Sequence, residues 1–194
     1  MKKWLLTAVA FTYLNGYAQN WEKNYDYVDN GVCGLSKVQK NNKIGYVDKN
    51  GVEIIKLMYD DGLTFHEGYT PVRKGTKWLY VDSTGHQVTP PLYEDALEFS
   101  DGMAAVAKNN LYGYINKAGE LVIACTFTNA RSFSEGLAPA ANAKGSWGFI
   151  NPKGDWVIKP LYTFADNFQN GEARVMIGSK VAYIDKTNLV IREK

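Results

Sequence analysis

Apolar and polar positions alternate in short bursts along this chain, and the bursts recur. After each of five glycines (Gly34, Gly68, Gly102, Gly136 and Gly171) small or branched residues stand at the second and fourth positions, as in Met103-Ala104-Ala105-Val106-Ala107 and Glu172-Ala173-Arg174-Val175-Met176. A period of two predicts a strand. The next segment is aromatic and β-branched and stops at Asp or Asn, as in Tyr112-Gly113-Tyr114-Ile115-Asn116, and a short apolar run such as Leu121-Val122-Ile123 follows. Both predict strands. No segment carries a helical apolar stripe longer than about two turns.

The five glycines are spaced 34, 34, 34 and 35 residues apart. A second ladder keeps the step: Asp48, Asp82, Asn116, Asn151 and Asp185, each followed three residues later by Gly51, Gly85, Gly119, Gly154 and Asn188. In such a turn the Asp or Asn side chain holds the first position and the residue three later takes positive φ. Glycine does this at no steric cost and Asn next best, which accounts for Asn188. Gly145, after Ala143-Lys144, falls in a variable linker on this reading. Aromatic ladders share the period: Tyr46, Tyr80, Tyr114, Phe149 and Tyr183, then Phe65, Phe99, Phe133 and Phe168.

Each unit therefore reads as a three-stranded β-meander followed by a connector of about ten residues, and five units begin near residues 34, 68, 102, 136 and 171. A repeat of this length buries its apolar faces only against its neighbours. The expected fold is an all-β tandem array, an open twisted stack, with a closed five-part propeller-like ring as the alternative. Five whole units offer no split blade to staple a ring.

Trp147-Gly148-Phe149-Ile150-Asn151-Pro152-Lys153-Gly154, with Val157-Ile158 and Pro160-Leu161-Tyr162 behind it, resembles the bacterial WG repeat. The other units match in degraded form: Gly45 and Gly113 keep the glycine, Trp78-Leu79 keeps the tryptophan, and the last unit has Val181-Ala182. The resemblance implies a β-rich repeat protein, often exported, and supplies no catalytic residue to carry over.

The N-terminus is set aside from this repeat pattern. Lys2 and Lys3, the apolar run Trp4 to Leu14 and Gly16-Tyr17-Ala18 make a signal-peptide pattern over residues 1–18, with cleavage after Ala18 and a mature repeat domain over residues 19–194. The run is too short for a membrane anchor, which needs roughly 20 apolar residues. Stable membrane insertion after cleavage is not expected, and the product should be periplasmic or secreted. The formal charge of +2 belongs to Lys2 and Lys3. Without them the chain is balanced, so the phosphate-neutralising surplus that drives nucleic-acid binding is missing.

Candidate chemistry is sparse. His66 and His86 occupy non-equivalent turn positions, and no CxxC, HExxH or GxSxG spacing occurs. No catalytic residue, metal site or cofactor is assigned. One ladder oxygen per 34 residues is too few for the six to eight ligands of Ca²⁺. The acid pairs Asp60-Asp61 and Glu94-Asp95 read as solvated connector surface. Cys33 and Cys125 differ in unit and in position within it, so no disulfide between them is expected. Repeating aromatics suit interior stacking, whereas the non-repeating Tyr69, Tyr112 and Trp156 are the ligand-binding candidates. The function expected is a non-enzymatic binding or scaffold module for a protein, peptide or envelope ligand. The alternative is a hydrolase acting on envelope polysaccharide, or a carbohydrate-binding protein. Carboxylates from different units converging in one pocket would favour the enzyme.

Overall fold

A computed structural model describes residues 21–193. The predicted signal segment lies outside the described residues. A 3-10 turn, Trp21–Asn24, precedes nineteen strands in five antiparallel sheets. The first sheet is β1 (Tyr27–Val28), β2 (Leu35–Lys40), β3 (Lys43–Asp48) and β4 (Glu53–Tyr59); the second is β5 (Asp61–Gly62), β6 (Tyr69–Lys74) and β7 (Lys77–Asp82). The third holds β8 (Asp95–Ala96), β9 (Met103–Lys108), β10 (Leu111–Asn116) and β11 (Leu121–Phe127). The fourth holds β12 (Asn129–Ala130), β13 (Ala138–Ala141), β14 (Trp147–Ile150) and β15 (Trp156–Tyr162), and the fifth β16 (Phe164–Ala165), β17 (Ala173–Ile177), β18 (Lys180–Ile184) and β19 (Val190–Glu193).

The fold is all-β, with strands paired in chain order and none of the sheets closed. The meander of three long strands recurs, and the connector adds a two-residue strand that pairs with the first long strand of its own unit, as Asp95 and Ala96 do with Ala107 and Val106. A unit thus runs from its short strand to the end of its third long strand.

Turn chemistry sets the period. The Asp48 carboxylate accepts from the backbone N–H of Asn50 (2.8 Å) and Val52 (2.9 Å), and Gly51 N–H returns to the Asp48 carbonyl at 2.9 Å. The same pattern repeats at Asp82, Asn116, Asn151 and Asp185. Gly119 takes φ +81° and Asn188 φ +70°. Gly145 proves to be no free linker: its φ is +77° and its N–H donates to the Asn142 carbonyl at 2.8 Å, closing the hairpin between β13 and β14. That hairpin holds the extra residue behind the single 35-residue step, because five residues separate the paired Ala141 and Trp147 where four separate Ala107 and Tyr112.

The glycine of the Trp-Gly pair has a different cause. Its φ is not positive; instead, the next strand bulges over it. A Cβ at Gly45 would stand 2.6 Å from the Ile55 carbonyl oxygen, and at Gly148 it would collide with that of Ile158. These are the sites of the register shifts between β3 and β4 and between β14 and β15. The second unit has buried Leu79 here, and a regular fourth strand is absent among its described residues. Bridges from Trp78 to Tyr93 and from Val81 to Gln87 take its place, with the Tyr80 N–H donating to Thr89 Oγ1 at 3.0 Å.

The core lies between sheets. In β9 five successive residues, Met103 to Ala107, are buried, so both faces of the first long strand are covered, whereas β11 alternates and forms the outer edge. Tyr46, Tyr80 and Tyr114 each reach into the following unit, donating from the hydroxyl to the carbonyls of Leu63, Leu97 and Arg131 at 2.6–2.8 Å. Each also packs on that unit's phenylalanine, at 5.1 Å for Tyr46–Phe65 and 4.8 Å for Tyr114–Phe133, and Phe149–Phe168 continues the row. In a parallel row, the carboxylates of Glu67, Asp101 and Glu135 accept from Gly102, Gly136 and Gly171 N–H of the next unit. The acids of the connectors are staples too: Asp60 pairs with Lys43 and Glu94 with Lys77, each at 2.5 Å. At the start of the array Trp21 packs on Gly51, the contact that Ile54 makes with Gly85 and Ile123 with Gly154 further along.

Candidate functional site

The internal interfaces define what a seated connector looks like. Phe99 of the third unit is held by two rings of the second, Tyr69 at 5.0 Å and Tyr80 at 5.2 Å. Shifting by the repeat, the corresponding positions in the fifth unit are Glu172 and Tyr183. Among the described residues no further unit covers them, and a cleft of about 650 Å³ opens there.

The fifth unit's connector and its three long strands line it, with residues of the two preceding units. The fifth connector contributes Asp166, Asn167, Gln169 and Asn170; β17, β18 and β19 contribute Arg174, Tyr183 and Arg192; and Leu97, Arg131 and Ser132 close the far side. The site is built on a strand that changes character. The first and third residues after the unit glycine are Leu35 and Lys37, Tyr69 and Pro71, Met103 and Ala105, and Leu137 and Pro139 in the first four units, but Glu172 and Arg174 in the fifth, which alone carries a charge at both positions. Pro71, Ala105 and Pro139 are buried and Arg174 is exposed; Lys37, its counterpart in the first unit, is partly buried and donates to the Gly62 carbonyl of the second at 3.1 Å, because a cation under a neighbouring sheet needs a partner.

The arginines are held in place by acids and rings. Arg174 Nε donates to Asp166 at 2.9 Å, and an Arg131 nitrogen lies 3.8 Å from the same carboxylate. Phe164 stands between the two guanidinium groups, 4.9 Å from that of Arg131 and 5.2 Å from that of Arg174. Arg192 lies over the Tyr183 ring at 3.8 Å and pairs with Glu172 at 2.5 Å. Arg131 Nε is buried without a hydrogen-bond partner. Three guanidinium groups against two carboxylates leave one positive charge, with neutral amides alongside. Such a surface donates hydrogen bonds to carbonyls or carboxylates and stacks on planar groups. The two acids both come from the fifth unit, and each faces an arginine. Among the described residues no cluster of three or more metal-ligating side chains occurs.

Tyr69, Tyr112 and Trp156 lie elsewhere, in three different units. Tyr69 packs on Phe99, with Lys117 5.9 Å from its ring centroid. Tyr112 donates to Asp95 at 2.6 Å, and partial burial with that carboxylate beside it pushes its hydroxyl up to about 12. Trp156 meets Phe127 of the preceding unit edge to face at 5.6 Å. None of the three lines the cleft. His66 and His86 sit in turns beside Glu98 and Asp82, and Cys33 and Cys125 are thiols in the first and third units. The signal that marks the cleft in the sequence is the departure from apolar residues at 172 and 174.

The profile of the family described as WG containing repeat matches residues 44–78, 80–112, 112–142 and 147–180. No curated protein matches the chain in sequence. Among solved structures, Hsv2 of Kluyveromyces lactis superposes with a TM-score of 0.55 at 10% identity, over 82% of this chain and 60% of its own. Hsv2 of Kluyveromyces marxianus gives 0.54 at 12% identity, over 82% and 61%. The chain thus spans about three fifths of the length of these structures. The likeness is one of fold, a propeller-like arrangement of successive sheets.

Proposed function

Because the chain belongs to the WG containing repeat family, we propose that it is an exported, non-catalytic binding module that takes a protein or peptide partner in the cleft of its fifth unit. The observation that carries this reading is the charged pair Glu172 and Arg174, at positions that are mostly apolar in the earlier units, on a sheet face that no further unit covers among the described residues. Packing arrays spend their conserved geometry on turns and stacking, and present the remaining surface to partners. Tyr69, Tyr112 and Trp156 each have a ring committed to packing or a hydroxyl committed to Asp95, so the cleft is the stronger candidate. A hydrolase would need two carboxylates free to exchange protons across a bond; Asp166 and Glu172 are both ion-paired to arginine. Export rests on Lys2-Lys3, the apolar run and Gly16-Tyr17-Ala18.

Two measurements test the reading. Affinity capture from an envelope fraction with the mature chain should recover a partner that Arg174→Glu releases; capture indifferent to that substitution would move the site elsewhere. The intact mass of the exported product should begin at Gln19, and a product retaining Lys2-Lys3 would contradict export by cleavage.

A further inference from the structure

The third and fourth units each offer their predecessor the same three things. A phenylalanine lies against the predecessor's aromatic rings, a backbone carbonyl accepts the tyrosine hydroxyl, and a glycine N–H meets the turn side chain. The fifth unit has the receiving half of this set, and among the described residues no donor is seated in it. Tyr183 is the equivalent of Tyr80, and Asn170 of Glu67, Asp101 and Glu135. Gln169 stands where Ser134 donates to the Phe168 carbonyl at 2.6 Å.

Resting on the reading of the cleft as a binding site, we infer that its ligand is a segment of another polypeptide carrying an aromatic residue three positions ahead of a glycine in a tight turn. Such a segment would dock as the connector of a sixth unit, a form of strand addition in which backbone bonds hold and a side-chain pocket selects. Arg192 occupies the seat meanwhile. It lies 3.8 Å over Tyr183 and pairs with Glu172, and these are the two positions whose counterparts, Tyr80 and Tyr69, grip Phe99. Being half exposed, with 48% of its side chain accessible, it can be displaced. Among the described residues no free donor occurs. The position of the ladder phenylalanine in the first unit is Gly31, and Phe65, Phe99, Phe133 and Phe168 are all at most 1% exposed within their own interfaces. A second copy could offer its phenylalanine only by unfolding.

The probe is a synthetic peptide with the sequence of residues 129–138, which contains Phe133 and Gly136, titrated calorimetrically into the mature chain. Saturable binding is expected, weakened about tenfold or more when the peptide phenylalanine is Ala. Arg192→Ala should tighten binding by about threefold, the scale of one exposed ion pair and a cation–π contact, and Tyr183→Ala should remove it. Because Arg192 is half exposed and the peptide variant leaves the protein untouched, the answer does not depend on Tyr183→Ala folding. Equal binding of the two peptides, weaker binding to Arg192→Ala, or concentration-dependent self-association that needs Tyr183 would each overturn the inference. If an envelope partner is released by Arg174→Glu yet never competes with the peptide, the binding-module reading stands and this inference falls.

Discussion

A methyl group added at Gly148 would run into the backbone of Ile158 and Lys159, while one added at Gly145 would meet nothing within 4 Å. The two glycines therefore fail differently when substituted. Gly148→Ala should cost about 2–4 kcal/mol through displaced strand backbone, and Gly145→Asn only a few tenths, since Asn accepts positive φ. Gly119 carries both burdens, with φ +81° and the Val88 carbonyl oxygen 2.8 Å from its missing Cβ. Gly119→Asn should thus cost more than Gly145→Asn, and Gly119→Val should cost most; urea midpoints of the variants give the order. Positive φ is legible from the Asp-x-x-Gly spacing, but crowding by a neighbouring unit is not, because it depends on a segment 31 residues away in the chain. The tyrosine ladder makes a second prediction. Burial raises the hydroxyls of Tyr46, Tyr80 and Tyr114 above the ordinary value of 10.0. Below that value they are protonated folded and unfolded, and their stabilisation is complete. Above it the unfolded chain loses protons that the folded one keeps, so stability falls as pH rises. Urea midpoints should drop as pH rises above about 10, and less steeply in a chain with Phe at all three positions, as at Phe149.

Among the elements, the long strands were readable because alternation, β-branching and the turn residues agree at each one. The short first strands were not: Asp61–Gly62 and Asp95–Ala96 are two residues long, without periodicity, and exist through pairing with the strand they precede. Likewise the replacement of glycine by Leu79 was visible, but its consequence, the reduction of a strand to isolated bridges, requires knowing that the next strand crosses over that position. The cleft was half legible. Glu172 and Arg174 break an apolar pattern in plain sight, whereas Arg192 enters only because β19 folds back beside β18. The 3-10 turn at the other end carries its own test. Trp21→Ala removes the ring that covers Gly51, and should destabilise the first unit by about 1–2 kcal/mol. Hydrogen exchange should quicken in β2 and β3 and stay unchanged in β17 and β18.

Across the whole molecule, contacts join each sheet to its neighbours in the chain, so stability is a sum of units and interfaces. Phe168→Ala empties the seat between the fourth and fifth units, where the ring is fully buried against Phe149. A loss of about 3 kcal/mol is expected. It should appear as faster exchange in β14 to β18 with β6 and β7 still protected, and uniform acceleration would show that the sheets unfold as one body. The rows that stitch the sheets together all point one way: tyrosine hydroxyl to the following carbonyl, carboxylate to the following glycine N–H. Each internal unit is therefore both plug and socket, and the gene for such a chain can lengthen by copying. A duplicate of residues 95–128 inserted after itself brings a second Phe99 to Tyr114, a second Gly102 to Asp101 and a second Gly119 to the strand of Ile123, so a six-unit array inherits every contact it needs at birth.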